Sequence, residues 1–319
     1  MKNKYIYIFL TAVLLVACHS EDNIHPTEKK DTRFELPQGN HDFDSQIVEW
    51  SKKYGINVLY KFTDADLNYK FTTNYNQYEM TEEADEAGIR AAVIFLKEDF
   101  IGLYSDEVKS KYLPSKILLA GILYANDFGT TKYEPIWDTL AVANLGVFIR
   151  GLDHITFPRV DAGFAGRIAD TEYRKKLRLA IHRTFINFLM FPSNELLEKI
   201  PGTEILNTFA SYTLVNPELP NVSNPYSYGN VWYHSEDMYK LGFLSYSSYW
   251  GWFPPYYWTA PLTKENDFYS FINFIFTQTK SELHANPIYV NYPQIKKKCD
   301  YLIQSFAHYG IDLHQVGGE

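Results

Sequence analysis

The chain has 319 residues, is 46% hydrophobic and carries a formal net charge of −8 at pH 7. A chain of this length can bury a large core, and we expect one large domain preceded by a tail. Nucleic acid is excluded as an expected partner, because the balance is acidic and a basic run such as 296–298 is only three residues long.

The N-terminus has the pattern of an export signal. Lys2 and Lys4 precede an apolar stretch, 5–16, that is too short to be a stable membrane span. The Leu-Val-Ala that leads into Cys18 resembles the lipobox of bacterial lipoproteins. We therefore predict a signal peptide over 1–17 and lipidation of Cys18 with diacylglyceryl and palmitate chains.

The residues after Cys18 predict where the protein resides. The segment His-Ser-Glu-Asp-Asn resembles the signal that sends lipoproteins of Bacteroidetes to the outer face of the outer membrane. Residues 18–40 are polar and predict a flexible tether, followed by a folded domain over 41–319. With Cys18 lipidated, Cys299 has no partner for an intrachain disulfide.

The first half of the domain is predicted to alternate helices and strands. The charges Glu82, Glu83 and Asp85 are placed to begin a helix, since the helix dipole favours anions in the first turn. Runs of apolar residues favour strands, although a buried helix of similar length gives the same pattern. The predicted elements are a helix over 47–54 ended by Gly55, a strand over 56–62, a helix with these charges in its first turn and its apolar residues over 87–101, and strands over 116–124 and 139–149.

The clearest amphipathic helix of the sequence spans 170–191. Asp170 is placed to cap it, and Phe191 followed by Pro192 ends it. Its apolar stripe follows the helical period on one face. The stripe consists of Leu177, Ile181, Thr184, Phe185 and Phe188.

The segment 226–258 is rich in aromatic residues, with eight Tyr, four Trp and two Phe. It follows a short mixed segment, 205–214, and a loop, 215–229. Two interpretations stay open: a platform that stacks sugars or binds peptides, or large side chains that pack an irregular segment onto the domain. The candidate ligand-binding residues are Trp250, Trp252, Tyr256, Tyr257 and Trp258.

Two further helices are predicted to close the chain, over 267–283 and 293–309. The last begins at Pro293 and ends at Gly310, which are residues typical of those two positions. Its apolar stripe includes Cys299, which is therefore not a candidate nucleophile.

The middle of the central helix raises the question of a metal site. A zinc peptidase needs His-Glu-x-x-His, because two His four residues apart share a helix face and the Glu acts as general base. Residues 182–186 are His-Arg-Thr-Phe-Ile. His182 is present as the first ligand, but the cation Arg183 replaces the general base and the hydrocarbon side chain of Ile186 replaces the second ligand.

With these elements in order, the chain from about Val58 onward resembles the zinc-binding metallopeptidase lipoproteins of Bacteroidetes, which are often encoded beside outer-membrane nutrient importers. The matching segments are 242–245 (Gly-Phe-Leu-Ser), 267–270 (Asp-Phe-Tyr-Ser) and 310–313 (Gly-Ile-Asp-Leu). The resemblance implies a zincin-like α+β fold, mostly helical with a small mixed sheet.

The departures from that family concern its metal site. Arg183 stands where the family has its catalytic Glu, Ile186 where it has the second His, and Ser270 where it has a Glu ligand. No two of the nine histidines are four residues apart. We expect no zinc, no other cofactor and no catalytic residue, and we expect His182 to hydrogen bond to a neighbour. A carboxylate pair for glycoside hydrolysis stays open.

These features predict a pseudo-metallopeptidase on the cell surface, an accessory binding or scaffolding subunit of a TonB-dependent importer of the SusC/SusD kind for glycans or peptides. The alternative is a divergent zinc metallopeptidase that holds its metal with His182 and non-standard ligands. A third reading is a purely structural subunit that binds partners but no ligand.

Overall fold

The computed structural model describes residues 34–68, 78–126, 133–135, 148–192, 198–215, 226, 232–233, 235–244, 257–258 and 263–315. The chain divides into two units, Met1–Leu36 and Pro37–Glu319, and all helices and strands named below belong to the second. The predicted signal peptide, Cys18 and the tether up to residue 33 lie outside the described residues. Within the described ranges, no helix has both the length and the apolar content needed to cross a bilayer.

The described elements alternate helix and strand up to residue 82, continue with helices up to residue 111 and with five strands up to residue 157, and are mainly helical afterwards. The helices are α1 (Asp44–Tyr54), α2 (Asp64–Leu67), α3 (Glu86–Asp99), α4 (Asp106–Lys111), α5 (Phe164–Ala169), α6 (Thr171–Met190), α7 (Gly202–Ser211), α8 (Ser235–Leu241), α9 (Lys264–Phe276), α10 (Lys280–Ala285), α11 (Pro287–Asn291) and α12 (Pro293–His308). The strands are β1 (Asn57–Leu59), β2 (Tyr78–Glu82), β3 (Lys116–Leu119), β4 (Ile122–Asn126), β5 (Tyr133–Pro135), β6 (Ile149–Arg150), β7 (His154–Phe157), β8 (Trp232–Tyr233) and β9 (Tyr257–Trp258).

The main sheet is mixed and has the strand order β1-β3-β7-β6. Strands β1, β3 and β7 are parallel, with Val58 opposite Ile117 and Ile117 opposite Ile155, and β6 runs antiparallel to β7 at one edge. These three side chains are fully buried, and every residue of the two central strands β3 and β7 is buried, as expected for strands covered on both faces. The α+β class with a small mixed sheet is confirmed.

A second sheet, β2-β4-β5, is antiparallel. The single strand predicted over 116–124 is wrong, because Ala120 and Gly121 interrupt it and separate β3 from β4. A side chain at Gly121 would meet the carbonyl oxygen of Glu83 at 2.2 Å, so the backbones approach closely there. Of the predicted strand over 139–149, residues 139–147 lie outside the described part, and Ile149 begins β6.

The sequence predicted α1 and α3 well. Gly55 ends α1 in the left-handed region with φ 73°, and the carboxylate of Asp85 accepts the first free N–H groups of α3. Glu82 is not in the first turn of α3, because it ends β2. The strand predicted over 56–62 is shorter, and is limited to β1.

Two predicted elements of the second half are wrong. The segment 205–214 is not mixed, since α7 is a helix that starts at Gly202. The helix predicted over 267–283 is two helices, because Thr279 and Glu282 form a capping box that begins α10 after a break at Thr277. The last helix, α12, is as predicted and is followed by Gly310 with φ 74°.

Candidate functional site

The central helix α6 begins at the predicted cap, where the carboxylate of Asp170 accepts the backbone N–H of Tyr173. Leu177, Ile181 and Phe185 of the predicted stripe are buried. The buried face is wider than predicted, because it also includes His182, Ile186, Leu189 and Met190. The helix lies against α5, α7, α9 and the edge strand β6.

His182 uses both ring nitrogens within the protein. Its Nε2 lies 2.8 Å from the backbone carbonyl oxygen of Asp99, and its Nδ1 lies 2.6 Å from the hydroxyl of Tyr104. A carbonyl oxygen only accepts, so Nε2 carries the hydrogen and Nδ1 accepts the Tyr104 proton. The imidazole is therefore neutral, with its single free lone pair already used.

The surroundings of His182 oppose a positive charge on the ring. Its side chain is 0% exposed, and burial lowers the pKa of His182 to about 3. The hydrogen bond to the Asp99 carbonyl partly opposes this lowering of the pKa, and the nearby charge of Arg178 contributes to it. The ring lies edge-on to Phe100, with centroids 5.3 Å apart, and Phe185 packs against both Phe100 and Tyr104. These contacts make His182 part of the core.

Asp99 holds helices α3 and α6 together through two different groups. Its carbonyl binds His182, and its buried carboxylate accepts hydrogen bonds from Nε and a terminal nitrogen of Arg174 on α6. Arg178, one turn further along α6, places its guanidinium 3.9 Å from the same carboxylate. Arg174 and Arg178, on the turns of α6 that precede His182, therefore hold Asp99 in the place where its carbonyl binds the imidazole.

The other positions that we predicted to be a degenerate zinc site are Arg183, Ile186 and Ser270. Arg183 is half-buried, and burial lowers its pKa while the phenol of Tyr269 partly offsets this effect. Ile186 is buried in the core. The Ser270 hydroxyl donates to the carbonyl of Asp267 at 2.7 Å, a bond within its own helix α9. These side chains offer no cation ligand comparable to Glu or His.

The aromatic candidates are mostly outside the described part of the chain. This holds for Trp250, Trp252 and Tyr256. Tyr257 and Trp258 form β9, whose backbone pairs antiparallel with β8, so that Trp258 lies opposite Trp232. Neither interpretation of the aromatic segment is tested by this pairing.

A buried ion pair lies where the sequence predicted only core. Lys298 of α12 and Asp267 of α9 are both 0% exposed, with the Lys298 Nζ atom 2.6 Å from Asp267 Oδ2. The same Nζ donates to the carbonyl of Gly242 at 2.8 Å. The Tyr226 hydroxyl donates to Asp267 Oδ2 at 2.7 Å and lies 2.9 Å from the hydroxyl of Thr213.

Three aromatic rings surround the ammonium group of this pair. The Nζ atom of Lys298 lies 4.5 Å from the ring centroid of Phe209, 5.2 Å from that of Phe243 and 5.0 Å from that of Phe271. Burial lowers the pKa of Lys298 and raises that of Asp267, and the opposite charge of each partner counters these effects. Removing both charges from water is therefore unfavourable, and the attraction and hydrogen bonds between the two groups oppose this cost.

This cluster could have been found from the helical period. Lys298 falls between Ile295 and Leu302 on the apolar stripe of α12, and a lysine on a core stripe needs a buried partner. Two of its contacts, Gly242 and Asp267, are the first residues of two of the three segments on which the predicted resemblance rests.

A cleft of about 610 Å³ lies at the start of α3. Its lining is charged, and the carboxylate of Asp161 pairs with both Arg159 and Arg167, each at 2.9 Å. Because both guanidinium groups are paired with the carboxylate of Asp161, we interpret this region as a network of ion pairs. The other lining residues are Glu82, Glu83, Ala84, Asp85, Ala162 and Gly163.

Comparison with protein-family models, curated proteins and solved structures found no match to this chain. Among the described residues, no group of three or more His, Cys, Asp or Glu side chains is arranged to hold a metal ion. The geometry around His182 is therefore the main observation on which a functional argument can rest.

Proposed function

We propose that this protein is a non-catalytic pseudo-metallopeptidase with a zincin-like fold, which serves as an accessory binding or scaffolding subunit of a SusC/SusD-like nutrient importer. Its anchor is the lipid on Cys18, and it faces outward from the outer membrane. The proposals of a lipid anchor and of an importer as partner are supported by the sequence features alone.

The observation that carries the proposal is the hydrogen bonding of His182. A zinc ligand must present an unprotonated nitrogen with a free lone pair. The lone pair of Nδ1 accepts the proton of Tyr104, and Nε2 is protonated and donates to Asp99. Binding zinc would break at least one of these buried bonds. With Arg183 and Ile186 at the neighbouring positions, the helix lacks both the base and the second ligand.

The architecture supports the zincin-like part of the proposal at a coarser level. A 20-residue helix, α6, contacts β6, the antiparallel edge strand of a mixed sheet. Arg150 of β6 donates to the carbonyl oxygens of Asn187 and Phe191 at the end of α6, at 3.0 Å and 2.6 Å. This contact fixes the end of the helix relative to the edge of the sheet.

The metal content of the purified full-length protein separates this proposal from its alternative. We expect elemental analysis to find no stoichiometric zinc, with or without added zinc, in the wild-type chain and in His182→Ala. Zinc at one equivalent in the wild-type chain, lost in His182→Ala, would overturn the proposal and establish the divergent peptidase.

The ligand contacts that we propose are Trp250, Trp252, Tyr256, Tyr257 and Trp258, because aromatic rings offer flat apolar faces to sugars and peptides. Replacing them with Ala should abolish binding of the importer's glycan or peptide, whereas Tyr173→Ala on α6 should not affect it. If binding stays unchanged in folded variants, the aromatic residues only pack the segment.

The partner is tested in the native membrane. A C-terminally tagged chain, extracted with mild detergent, should copurify with a TonB-dependent importer and its lid lipoprotein in stoichiometric amounts. Recovery of the chain alone would count against an accessory subunit. Protease treatment of intact cells should remove the protein, and resistance to the protease would place it in the periplasm.

A further inference from the structure

We propose that Lys298 and Asp267 react with each other in the folded protein to form an intramolecular isopeptide bond that links α12 to α9. The amine and the carboxyl group are in direct contact, with Nζ 2.6 Å from Oδ2, and neither side chain is exposed to water. This inference rests on the cluster itself and is independent of the function proposed above.

The surroundings lower the cost of reaching the neutral forms that such a reaction needs. In water, an amine and a carboxylic acid do not condense readily, because both are ionised and water is abundant. In this cluster, burial lowers the pKa of Lys298 and raises the pKa of Asp267, so both shifts favour transfer of one proton from the ammonium to the carboxylate. The transfer gives an uncharged amine, which is a nucleophile, beside an uncharged acid.

The fold also supplies the proximity that a condensation requires. Holding two reacting groups together in a fixed orientation replaces a bimolecular reaction by an intramolecular one, with effective concentrations that reach about 10⁵–10⁸ M. Lys298 is positioned by the Gly242 carbonyl and by the rings of Phe209, Phe243 and Phe271, and Asp267 by the Tyr226 hydroxyl. The same rings also attract the ammonium form, so the ion pair is the reactant state.

The bond changes balance without an oxidant, a metal or a co-reactant. The lone pair of Nζ attacks Cγ of Asp267, and the bond between Cγ and Oδ2 breaks. Oδ2 leaves as water with two protons, one from the carboxylic acid and one from the amine. The second proton passes directly to Oδ2, since Nζ lies 2.6 Å from that oxygen. Oδ1 remains as the oxygen of the new amide.

The unpaired oxygen of Asp267 fits the amide better than the carboxylate. In the described part of the chain, Oδ1 is buried and has no hydrogen-bond partner. An unpaired oxygen of a buried carboxylate is more costly than an unpaired amide oxygen, because it carries part of a full charge. Forming the amide removes that charge together with the charge of Lys298.

Peptide mapping of the purified full-length protein tests the bond. After denaturation and trypsin digestion, we expect a branched peptide that joins the segments containing Asp267 and Lys298 and is lighter by one water molecule. Trypsin should not cleave after Lys298, because its amine is acylated. Cleavage after Lys298 together with two unlinked peptides of full mass would overturn the proposal and leave a buried ion pair.

A loss of water can also come from a succinimide at Asp267, and fragmentation distinguishes the two products. A succinimide leaves Lys298 free and the peptides unlinked, so this result also counts against the bond. Lys298→Arg keeps the positive charge without a nucleophilic amine and should show no linked peptide. Because the wild-type digest decides the question by itself, the proposal remains testable even if that variant does not fold.

Discussion

The Nδ1 atom of His182 lies 2.6 Å from the hydroxyl of Tyr104, which stands 78 residues earlier in the chain. This bond joins the middle of α6 to the residue that follows the 3₁₀ turn Ile101–Leu103 after α3. The Asp99 carbonyl binds the other ring nitrogen. Asp99 and Tyr104 therefore occupy both ring nitrogens of His182, the histidine at the position of a zinc ligand in the predicted resemblance.

Replacing Tyr104 with Phe should destabilise the protein. The substitution removes the hydroxyl and leaves the buried Nδ1 atom of His182 without a donor, a loss that costs about 1–3 kcal/mol. Urea denaturation of the wild-type and Tyr104→Phe proteins measures the change. Tyr112→Phe, at a partly exposed tyrosine nearby, is the matched control, and an equal effect of both substitutions would contradict a specific role for the bond to His182.

The low pKa of His182 predicts loss of stability in mild acid. Above pH 6.5, the ordinary pKa of a histidine, neither the folded nor the unfolded chain binds this proton. Below it, the unfolded imidazole binds a proton that the folded one binds only near its pKa of about 3. The unfolded state then holds more protons, so the free energy of unfolding falls by up to about 1.4 kcal/mol per pH unit.

Comparison with a variant isolates this effect from other titrations. His182→Gln keeps an amide donor and acceptor but does not titrate. Between pH about 6.5 and about 4.5, the free energy of unfolding should fall more steeply for the wild-type protein than for His182→Gln. Equal slopes in this range would show that His182 is protonated in the folded state, contrary to its buried environment.

The local parts of the fold were predictable from the sequence, for a physical reason. Helix α6 was predicted within one residue, because the cap at Asp170, the helical stripe and the stop at Pro192 are encoded by neighbours in the chain. The break between β3 and β4 was not predictable from the sequence. A glycine is needed at position 121 because the backbone of Glu83, far away in the sequence, approaches closely there. Sequence patterns do not show such long-range contacts.

The candidate site likewise has features that the sequence shows and features that depend on the tertiary structure. The sequence alone shows that Arg183, Ile186 and Ser270 are not the Glu, His and Glu that the predicted resemblance calls for at those positions. The partners of His182 and the pairing of Lys298 with Asp267 join elements separated by many residues, so their identity depends on the tertiary structure. Only the placement of Lys298 on an apolar stripe could have shown from the sequence that a buried partner was needed.

Arg174 should contribute to stability through Asp99. Its guanidinium donates two hydrogen bonds to the buried carboxylate, and a further one to Glu98. In Arg174→Met the carboxylate loses these bonds, which we expect to lower the free energy of unfolding by about 1–3 kcal/mol, because the charge keeps only a distant partner in Arg178. Lys175→Met, an exposed position on the same helix, should change it by less than about 0.5 kcal/mol.

The pair of Lys298 and Asp267 predicts an unequal effect of single and double substitutions. Lys298→Met leaves the buried carboxyl group of Asp267 without its cation, and removing one partner of a buried pair costs about 3–5 kcal/mol. The double variant Lys298→Met with Asp267→Asn has no uncompensated charge, so it should lose less stability than Lys298→Met alone.

Urea denaturation of the wild-type, single and double variants measures these differences, with the exposed Lys297→Met as control. The comparison between the single and double variants is informative whether or not the isopeptide bond forms, because neither variant has the amine. A double variant less stable than Lys298→Met would mean that the Asp267 carboxyl group is stabilised in the core by Tyr226 and its other neighbours rather than by the cation.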